Sequence, residues 1–202
     1  AMKVIWLLAS YLIGGIPAGY LAFRLGEGKD IRQFGSRSTG ATNVLRLKGW
    51  RYALPVLIID VLKAALPVWL ALKAFPGERW VPLGVALMVV LGHCFPVFLG
   101  FKGGKGVSTA MGSYAVLAPV AFLIGLGIFV TLIALTRYVS LGSLLAALAV
   151  PLVAGLGWKD GGLAALGFLI FAVIAIRHAG NIRRLCQGRE RKIGQKTSLD
   201  RG

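Results

Sequence analysis

The sequence predicts an all-α integral membrane protein with seven transmembrane helices, one of them short. Hydrophobic residues fill 57% of the 202 positions and charged residues only 15%, against about 45–50% and about 25% in soluble domains. The mean hydropathy is +0.77, and the apolar residues recur in blocks along nearly the whole chain. We therefore expect residues 1–202 to form a single transmembrane domain. This composition excludes a disordered chain, a coiled coil and a small disulfide scaffold.

Six apolar blocks alternate with polar segments. They cover residues 4–23, 52–72, 81–101, 108–136, 139–156 and 161–176, and a basic tail follows them. A helix needs about 20 apolar residues to cross a bilayer. The first block has that length and no evident cleavage region, so we interpret it as a retained span rather than a signal peptide. Ala1, which precedes Met2, is interpreted as a remnant of cloning.

The longest block, residues 108–136, decides the predicted topology. As one crossing it gives six spans, and it separates two basic clusters, the loop 24–51 with seven Lys and Arg and the tail from Arg177 onward with eight. Basic residues gather on the cytoplasmic side of membrane proteins. Splitting the block at Pro119 gives seven spans, places both clusters in the cytoplasm and places the N-terminus outside.

The split leaves a helix of 11 residues, 108–118, which is about 16 Å long against a hydrocarbon core of about 30 Å. Irregular backbone at membrane depth is tolerated only where protein or a wet cavity surrounds it. We therefore expect the turn before this helix, residues 102–106, to lie in a protein-lined recess.

The first polar motif is the stretch GSRSTGATN at residues 35–43, which is followed by Arg46. Its glycines, hydroxyls and backbone N–H groups can turn toward one anion. A flexible, solvated loop is the alternative interpretation. No long linker surrounds the motif, and cations follow it at helical spacing. The predicted anion ligands are Ser36, Thr42, Asn43 and Arg46.

The second motif runs from GHCFPVF at residues 92–98 into FKGGKGVST at residues 101–109. A Lys-Gly-Gly-Lys-Gly turn before a helix suits phosphate binding, because glycines allow close approach and the helix N-terminus carries free N–H groups and partial positive charge. Leu99 and Gly106 stand where a Walker A loop needs Gly and Ser or Thr, so nucleotide hydrolysis is not expected. The predicted phosphate ligands are Lys102, Gly103, Gly104 and Lys105. His93 is interpreted as a packed core histidine.

The third motif, RHAGNIRRL at residues 177–185, follows the last apolar block. Its His178 and Asn181 lie three residues apart, which places them on one face of a helix leaving the last span. A cytoplasmic basic flank accounts for Arg183 and Arg184, but it requires neither the histidine nor the amide. We therefore interpret His178 and Asn181 as site residues.

The remaining polar groups allow structural interpretations. Asp60 and Lys63 share a helix face in the second block and can neutralise each other, although charges at that depth are often functional; both interpretations stay open. Cys94 and Cys186 lack metal-ligand or Cys-x-x-Cys spacing and are interpreted as unpaired thiols. Acids number only 7 against 23 Lys and Arg, and neither His93 nor His178 has a second ligand at suitable spacing. No metal site and no cofactor are predicted.

At these motifs the chain resembles the acyl-phosphate-dependent glycerol-3-phosphate acyltransferases (the PlsY family), small integral enzymes of bacterial phospholipid synthesis. The resemblance covers essentially the whole chain. It is strongest at residues 92–98, 101–107 and 177–185, and the first motif departs from it at Arg37, Ser38 and Thr39. It implies a catalytic domain in the bacterial cytoplasmic (inner) membrane, with its site facing the cytoplasm and with acyl phosphate and glycerol 3-phosphate as substrates.

The implied reaction moves a fatty acyl group from acyl phosphate to the 1-hydroxyl of glycerol 3-phosphate, giving lysophosphatidic acid and phosphate. Acyl phosphate is already an activated anhydride, so proximity and preorganised charge can suffice. We expect direct attack without an acyl-enzyme. The expected catalytic groups are Ser36, Lys105, His178 and Asn181. The His–Asp pair of another acyltransferase class is absent, because Phe98 and Arg183 stand five residues after the two histidines.

Two other functions stay open from the sequence. A transporter or channel for a phosphorylated metabolite also points a short helix at an anion, although no inverted repeat is visible and seven spans do not divide into equal halves. A membrane-bound polyanion-binding module depends on the basic tail alone. The net charge of +16 favours anionic partners such as lipid headgroups; nucleic acid is not an expected partner.

Overall fold

The structure, a computed structural model, describes residues 1–195 and contains no strand within that range. Its helices are α1 (Met2–Gly14), α2 (Ala18–Glu27), α3 (Ala41–Lys48), α4 (Trp50–Ala74), α5 (Trp80–Cys94), α6 (Val107–Leu117), α7 (Pro119–Thr136), α8 (Val139–Leu152), α9 (Gly161–Arg177) and α10 (Ala179–Cys186). Single 3₁₀ turns cover Ile31–Gln33 and Val97–Leu99, and a π turn covers Val153–Gly157. The all-α class predicted from the sequence is confirmed. Two basic residues of the predicted tail, Lys196 and Arg201, lie outside the described residues.

Within residues 1–195, five segments are long and apolar enough to cross a bilayer: Met2–Glu27, Trp50–Ala74, Trp80–Leu99, Pro119–Thr136 and Val139–Gly157. The apolar α9 is bent by 67° from α10 and passes the same test only together with it. The apolar α6 has 11 residues, so at about 1.5 Å per residue it is shorter than a bilayer core. Seven crossings are reached only if α6 and α9 are added to these five segments, so that number stays a prediction.

The long apolar block is divided at Ala118, as the sequence predicts. Pro119 opens α7, a position where its missing N–H group breaks no helical hydrogen bond. Ser108 in the first turn of α6 and Ser140 at the start of α8 line the same cavity. The chain therefore reverses direction between them, and α6 and α7 form a hairpin.

The first apolar block consists of two helices instead of the continuous one expected over residues 4–23. Helix α1 ends at Gly14 and α2 begins at Ala18, because Pro17 cannot donate the hydrogen bond that would continue the helix. The break leaves the carbonyl of Ile16 outside the helical ladder. Lys63 Nζ of α4 donates to this carbonyl at 2.7 Å, which fixes the break against the second span.

Helix α5 is the centre of the bundle, with α1, α4, α6 and α9 packed around it. Its Val85 and Val89 are fully buried. Glycines allow α1 to lie unusually close: a Cβ on Gly14 would meet the Val89 carbonyl at 2.2 Å, and one on Gly92 would meet the Tyr11 carbonyl at 2.0 Å. The apolar side chains of α7, by contrast, are mostly exposed, as expected for a helix that faces lipid.

Loop contacts distinguish the two ends of the bundle. Lys3 pairs with Glu78 at 2.7 Å, and Arg79 pairs with Asp160. The start of α1 and the loops before α5 and α9 therefore share one end, whereas the three polar motifs lie at the other. Which end faces the cytoplasm stays a prediction.

Candidate functional site

A cavity of about 410 Å³ opens at the end of the bundle opposite Met2. Polar side chains of the three motifs line one side of it, together with others from α8 and the tail: Ser36, Ser38, Thr42, Asn43, Arg46, His93, Lys105, Ser108, Ser140, Ser143, His178, Asn181 and Glu190. Apolar side chains line another side, namely Leu57, Met111, Phe129 and Ile133. Segments far apart in the sequence thus meet around one amphipathic recess.

Asn43 shapes the first motif from inside. Its side-chain Nδ2 donates to the carbonyls of Phe34 at 3.2 Å and Ser38 at 2.9 Å, and its Oδ1 accepts from the Ser36 N–H at 2.9 Å. Gly35 has a φ of +59°, and a Cβ there would meet Asn43 Oδ1 at 2.3 Å. Both N–H donors of Asn43 are used within the loop. Asn43 therefore shapes the loop, and its direct contact with phosphate stays a prediction.

Arg46 supplies an unpaired cation donor to the cavity. Its Nε is buried and donates to none of the described residues. Burial lowers the pKa of Arg46, yet a guanidinium stays charged at neutral pH. A buried polar group without a partner costs about 1–3 kcal/mol, and more when it is charged. An anion in the cavity, beside the neighbouring hydroxyls of Ser36 and Thr42, would remove that cost.

The Gly103–Gly104 turn folds back onto the end of α5. The Gly103 N–H donates to the Cys94 carbonyl at 3.3 Å, and the Gly104 N–H donates to the His93 carbonyl at 3.0 Å. From the other side, Arg177 of α9 donates to the carbonyls of Gly103 at 2.8 Å and Gly104 at 2.9 Å. Because both amides are used within the protein, this geometry does not support the predicted phosphate contacts of Gly103 and Gly104.

Of the two lysines predicted to bind phosphate, only the one after the Gly103–Gly104 turn lies at the cavity. Lys102 is exposed and is not among the described residues that line it, so its predicted phosphate contact is not supported. Lys105 lines the cavity, and its Nζ donates to Asn181 Oδ1 at 2.7 Å. Burial lowers the pKa of Lys105 to about 8; the positive charge of Arg46 adds to this effect and Glu190 opposes it.

The first turn of α6 adds backbone donors next to Lys105. The first N–H groups of a helix have no partner within it, and they carry partial positive charge. In α6 these groups begin at Val107, and Gly106, Val107 and Ser108 all line the cavity. A lysine and a helix N-terminus together form a site suited to phosphate.

The third motif contains a bend between the last apolar helix and the helix that leaves it. Helix α9 ends at Arg177, and the chain turns by 67° into α10. The turn keeps the two predicted residues adjacent, because the Asn181 N–H donates to the His178 carbonyl at 2.8 Å. His178 Nδ1 lies 2.9 Å from the Ile174 carbonyl. A carbonyl only accepts, so Nδ1 carries the proton and Nε2 is the acceptor.

Glu190 is not among the site residues that the sequence predicts, although it is the one acid among many cations in the described tail. Its Oε1 accepts from Asn181 Nδ2 at 2.6 Å and Ser140 Oγ at 3.0 Å, and its Oε2 accepts from Arg184 Nε at 2.7 Å. Burial raises the pKa of Glu190, but these hydrogen bonds outweigh burial and hold the pKa below its ordinary value. A carboxylate only accepts, so Asn181 turns its NH₂ to Glu190 and its oxygen to Lys105.

The fold and the cavity define an integral membrane protein with an amphipathic recess lined by Arg46 and Lys105. A family model for glycerol-3-phosphate acyltransferase matches residues 4–188. A glycerol-3-phosphate acyltransferase of Prochlorococcus marinus (strain NATL2A) is 43% identical over 96% of this chain and 100% of the relative. One from Gloeobacter violaceus (strain ATCC 29082 / PCC 7421) is 46% identical over 94% of each. The chain belongs to the glycerol-3-phosphate acyltransferase family.

Solved structures of PlsY (YgiH), an integral membrane glycerol 3-phosphate acyltransferase, are similar to this chain throughout. The glycerol 3-phosphate form is 36% identical, with a TM-score of 0.91 over 96% of each chain. The lysophosphatidic acid form is 34% identical, with a TM-score of 0.87 over 96% of this chain and 97% of that one. The resemblance to the PlsY family is confirmed, and these findings do not favour a transporter.

Proposed function

We propose that this cavity transfers a fatty acyl group from acyl phosphate to the 1-hydroxyl of glycerol 3-phosphate, giving lysophosphatidic acid and phosphate. The observation that carries the proposal is a single recess with cations at one side and an apolar wall at another, in a chain of this family. The PlsY structures are of glycerol 3-phosphate and lysophosphatidic acid forms, which supports that acceptor and that product. Resemblance at the three motifs supports acyl phosphate as the donor.

The cations of the cavity suit two substrate phosphates. Arg46 and Lys105 come from different motifs, and each lies at the cavity with a donor that no acid among residues 1–195 accepts. Charge-assisted hydrogen bonds to phosphate are about twice as strong as neutral ones. Ser36, Thr42 and the first turn of α6 add neutral donors around them. The positive charges of Arg46 and Lys105 offset the repulsion between the two anionic substrates, so both can bind side by side.

The apolar wall suits the acyl chain. Met111 and Phe129 also line a second, smaller pocket of about 40 Å³ between α6, α7 and α8. Burying a methylene group stabilises binding by about 0.8 kcal/mol. The chain of the acyl phosphate would therefore lie along α6 and α7 while its phosphate stays at the cations.

In the proposed reaction, the 1-hydroxyl oxygen attacks the acyl carbonyl carbon, and the bond between that carbon and the phosphate oxygen breaks. The hydroxyl proton passes to a phosphate oxygen, whose second pKa is about 6 by analogy with phosphorylated residues. His178 Nε2 is the second candidate acceptor. Ser36 and Lys105 stabilise the developing oxyanion, and His178 and Asn181 orient glycerol 3-phosphate. No acyl-enzyme forms.

The proposed setting is the bacterial cytoplasmic (inner) membrane. Seven crossings place the N-terminus outside, and the cavity then opens to the cytoplasm, where glycerol 3-phosphate and acyl phosphate are available. The excess of Lys and Arg near the cavity supports this orientation.

Turnover by the purified protein in detergent tests the proposal. Glycerol 3-phosphate is supplied with palmitoyl phosphate, or with palmitoyl-CoA as the alternative donor, and lysophosphatidic acid is measured. We expect product with palmitoyl phosphate only. Product with palmitoyl-CoA alone would refute the donor, and no product with either would refute the acyltransferase. A transporter gives no product in detergent, because no chemistry accompanies transport.

A further inference from the structure

A buried polar cluster adjoins the cavity, which its member His93 lines, and no step of the proposed reaction uses it. Asp60, Lys63 and His93 are 1%, 7% and 6% exposed. Lys63 Nζ lies 2.8 Å from Asp60 Oδ1 and donates to the Ile16 carbonyl. Neither Asp60 oxygen accepts a hydrogen bond of good geometry from the described residues. Lys63 thus links the second span to the first. His93 takes no part in these contacts, so its role needs a separate explanation.

The His93 ring is held between Asp60 and the Gly103–Gly104 turn. Its Nδ1 lies 3.6 Å from Asp60 Oδ1, which is too long for a hydrogen bond but close enough for the carboxylate to attract that edge of the ring. On the other side, a Cβ on Gly104 would lie 2.0 Å from His93 Nε2 and 2.7 Å from Cε1. The imidazole therefore touches the backbone of Gly104 directly. His93 also lines the cavity, but the backbone of Gly104 lies against its Nε2, so we assign it no part in proton transfer.

We propose that His93 is a positioning residue, whose imidazole, oriented by Asp60, is the surface on which Gly104 rests. Gly104 directly precedes Lys105, so this contact sets the position of the lysine and of the first turn of α6. Arg177 holds the turn by its carbonyls, and His93 limits how far it moves inward. The inference rests on the proposed function, because it concerns the loop that would bind phosphate.

A double-mutant cycle between Gly104 and His93 tests the contact. In the wild-type background, Gly104→Ala forces the turn away from the imidazole, and a misplacement of about 1 Å can cost about 10²-fold in rate. We expect kcat/KM for glycerol 3-phosphate to fall about 100-fold. In the His93→Ala background the obstructing ring atoms are absent, and we expect the same change to cost less than about 10-fold.

Gly103→Ala is the matched control. A Cβ on Gly103 would lie 2.2 Å from the His93 carbonyl and 2.4 Å from Pro96 Cδ, and neither atom belongs to the His93 side chain. We therefore expect Gly103→Ala to lose the same factor in both backgrounds. Circular dichroism and thermal melting in detergent report folding. If His93→Ala does not fold, His93→Ser, which retains a small polar group, completes the same cycle.

An equal loss from Gly104→Ala in both backgrounds would overturn the inference and leave the proposed function intact, provided that the wild type makes lysophosphatidic acid. An inactive wild type would refute the proposed function instead. In that case, the same cycle measured as the Kd of inorganic phosphate, by isothermal titration calorimetry, still tests the contact: coupling between the two positions supports it, and its absence overturns it.

Discussion

Glu190 provides a sharp test of the hydrogen-bond network at the cavity. Its carboxylate fixes the amide of Asn181, whose oxygen in turn accepts from Lys105. Glu190→Ala removes the acceptor, and the freed amide can then turn its NH₂ toward the ammonium group. Such a flip replaces an attractive contact with a repulsive one.

The expected magnitude follows from the bond that is lost. A hydrogen bond to a charged group contributes about 1.5–3 kcal/mol, and about 1.4 kcal/mol corresponds to a factor of ten. Losing the Lys105–Asn181 bond should therefore lower kcat/KM about 10- to 150-fold. The carboxamide of Glu190→Gln still offers an oxygen to Asn181 and Ser140, so we expect a smaller loss.

The assay is lysophosphatidic acid formation by purified variants in detergent, with melting temperature as the control for folding. Arg184→Ala is the matched variant, because it removes the partner of Glu190 Oε2 and leaves the bond from Asn181 Nδ2 to Oε1 in place; we expect a smaller loss than in Glu190→Ala. A folded Glu190→Ala protein with wild-type kcat/KM would refute the reasoning. An equal loss in Arg184→Ala would show that charge, and not the orientation of Asn181, matters.

Three other measurements address pH dependence, covalent chemistry and topology. A lysine is charged below its pKa, so kcat/KM should fall as the pH rises through about 8, and Lys105→Arg should move the fall to higher pH; a flat profile to pH 10 would contradict this. With radiolabelled acyl phosphate and no acceptor, Ser36 should carry no label; trapped acyl-Ser36 would disprove direct attack. Exposed Cys186 should react with a membrane-impermeant thiol reagent only in inverted vesicles, and labelling of intact cells would disprove the cytoplasmic tail.

The sequence predicts the spans well because hydrophobicity and proline act locally. The division at Pro119 is confirmed for this reason. The break at Pro17 is not predicted, because hydropathy alone shows one apolar block that is long enough for a continuous span.

The sequence predicts correctly which segments line the cavity. It does not predict which of their polar atoms are already hydrogen-bonded within the protein and which are free to bind a ligand. Motif composition identifies Lys102 and Lys105 equally, and only the clamp on the turn by Arg177 separates them. Asn43 has the right chemistry for an anion ligand, but its donors are used within its own loop. Glu190 is missed because its role depends on three partners that tertiary structure brings together.

The claim that this cavity is the acyltransferase site is tested most directly by comparing Lys105→Ala with Lys102→Ala. Removing a donor aimed at developing charge typically lowers the rate about 10²–10³-fold, and we expect that loss in lysophosphatidic acid formation by Lys105→Ala. A surface substitution changes free energies by about 0.5 kcal/mol or less, so Lys102→Ala should stay within about twofold of wild type. Near-normal turnover by folded Lys105→Ala would contradict the account.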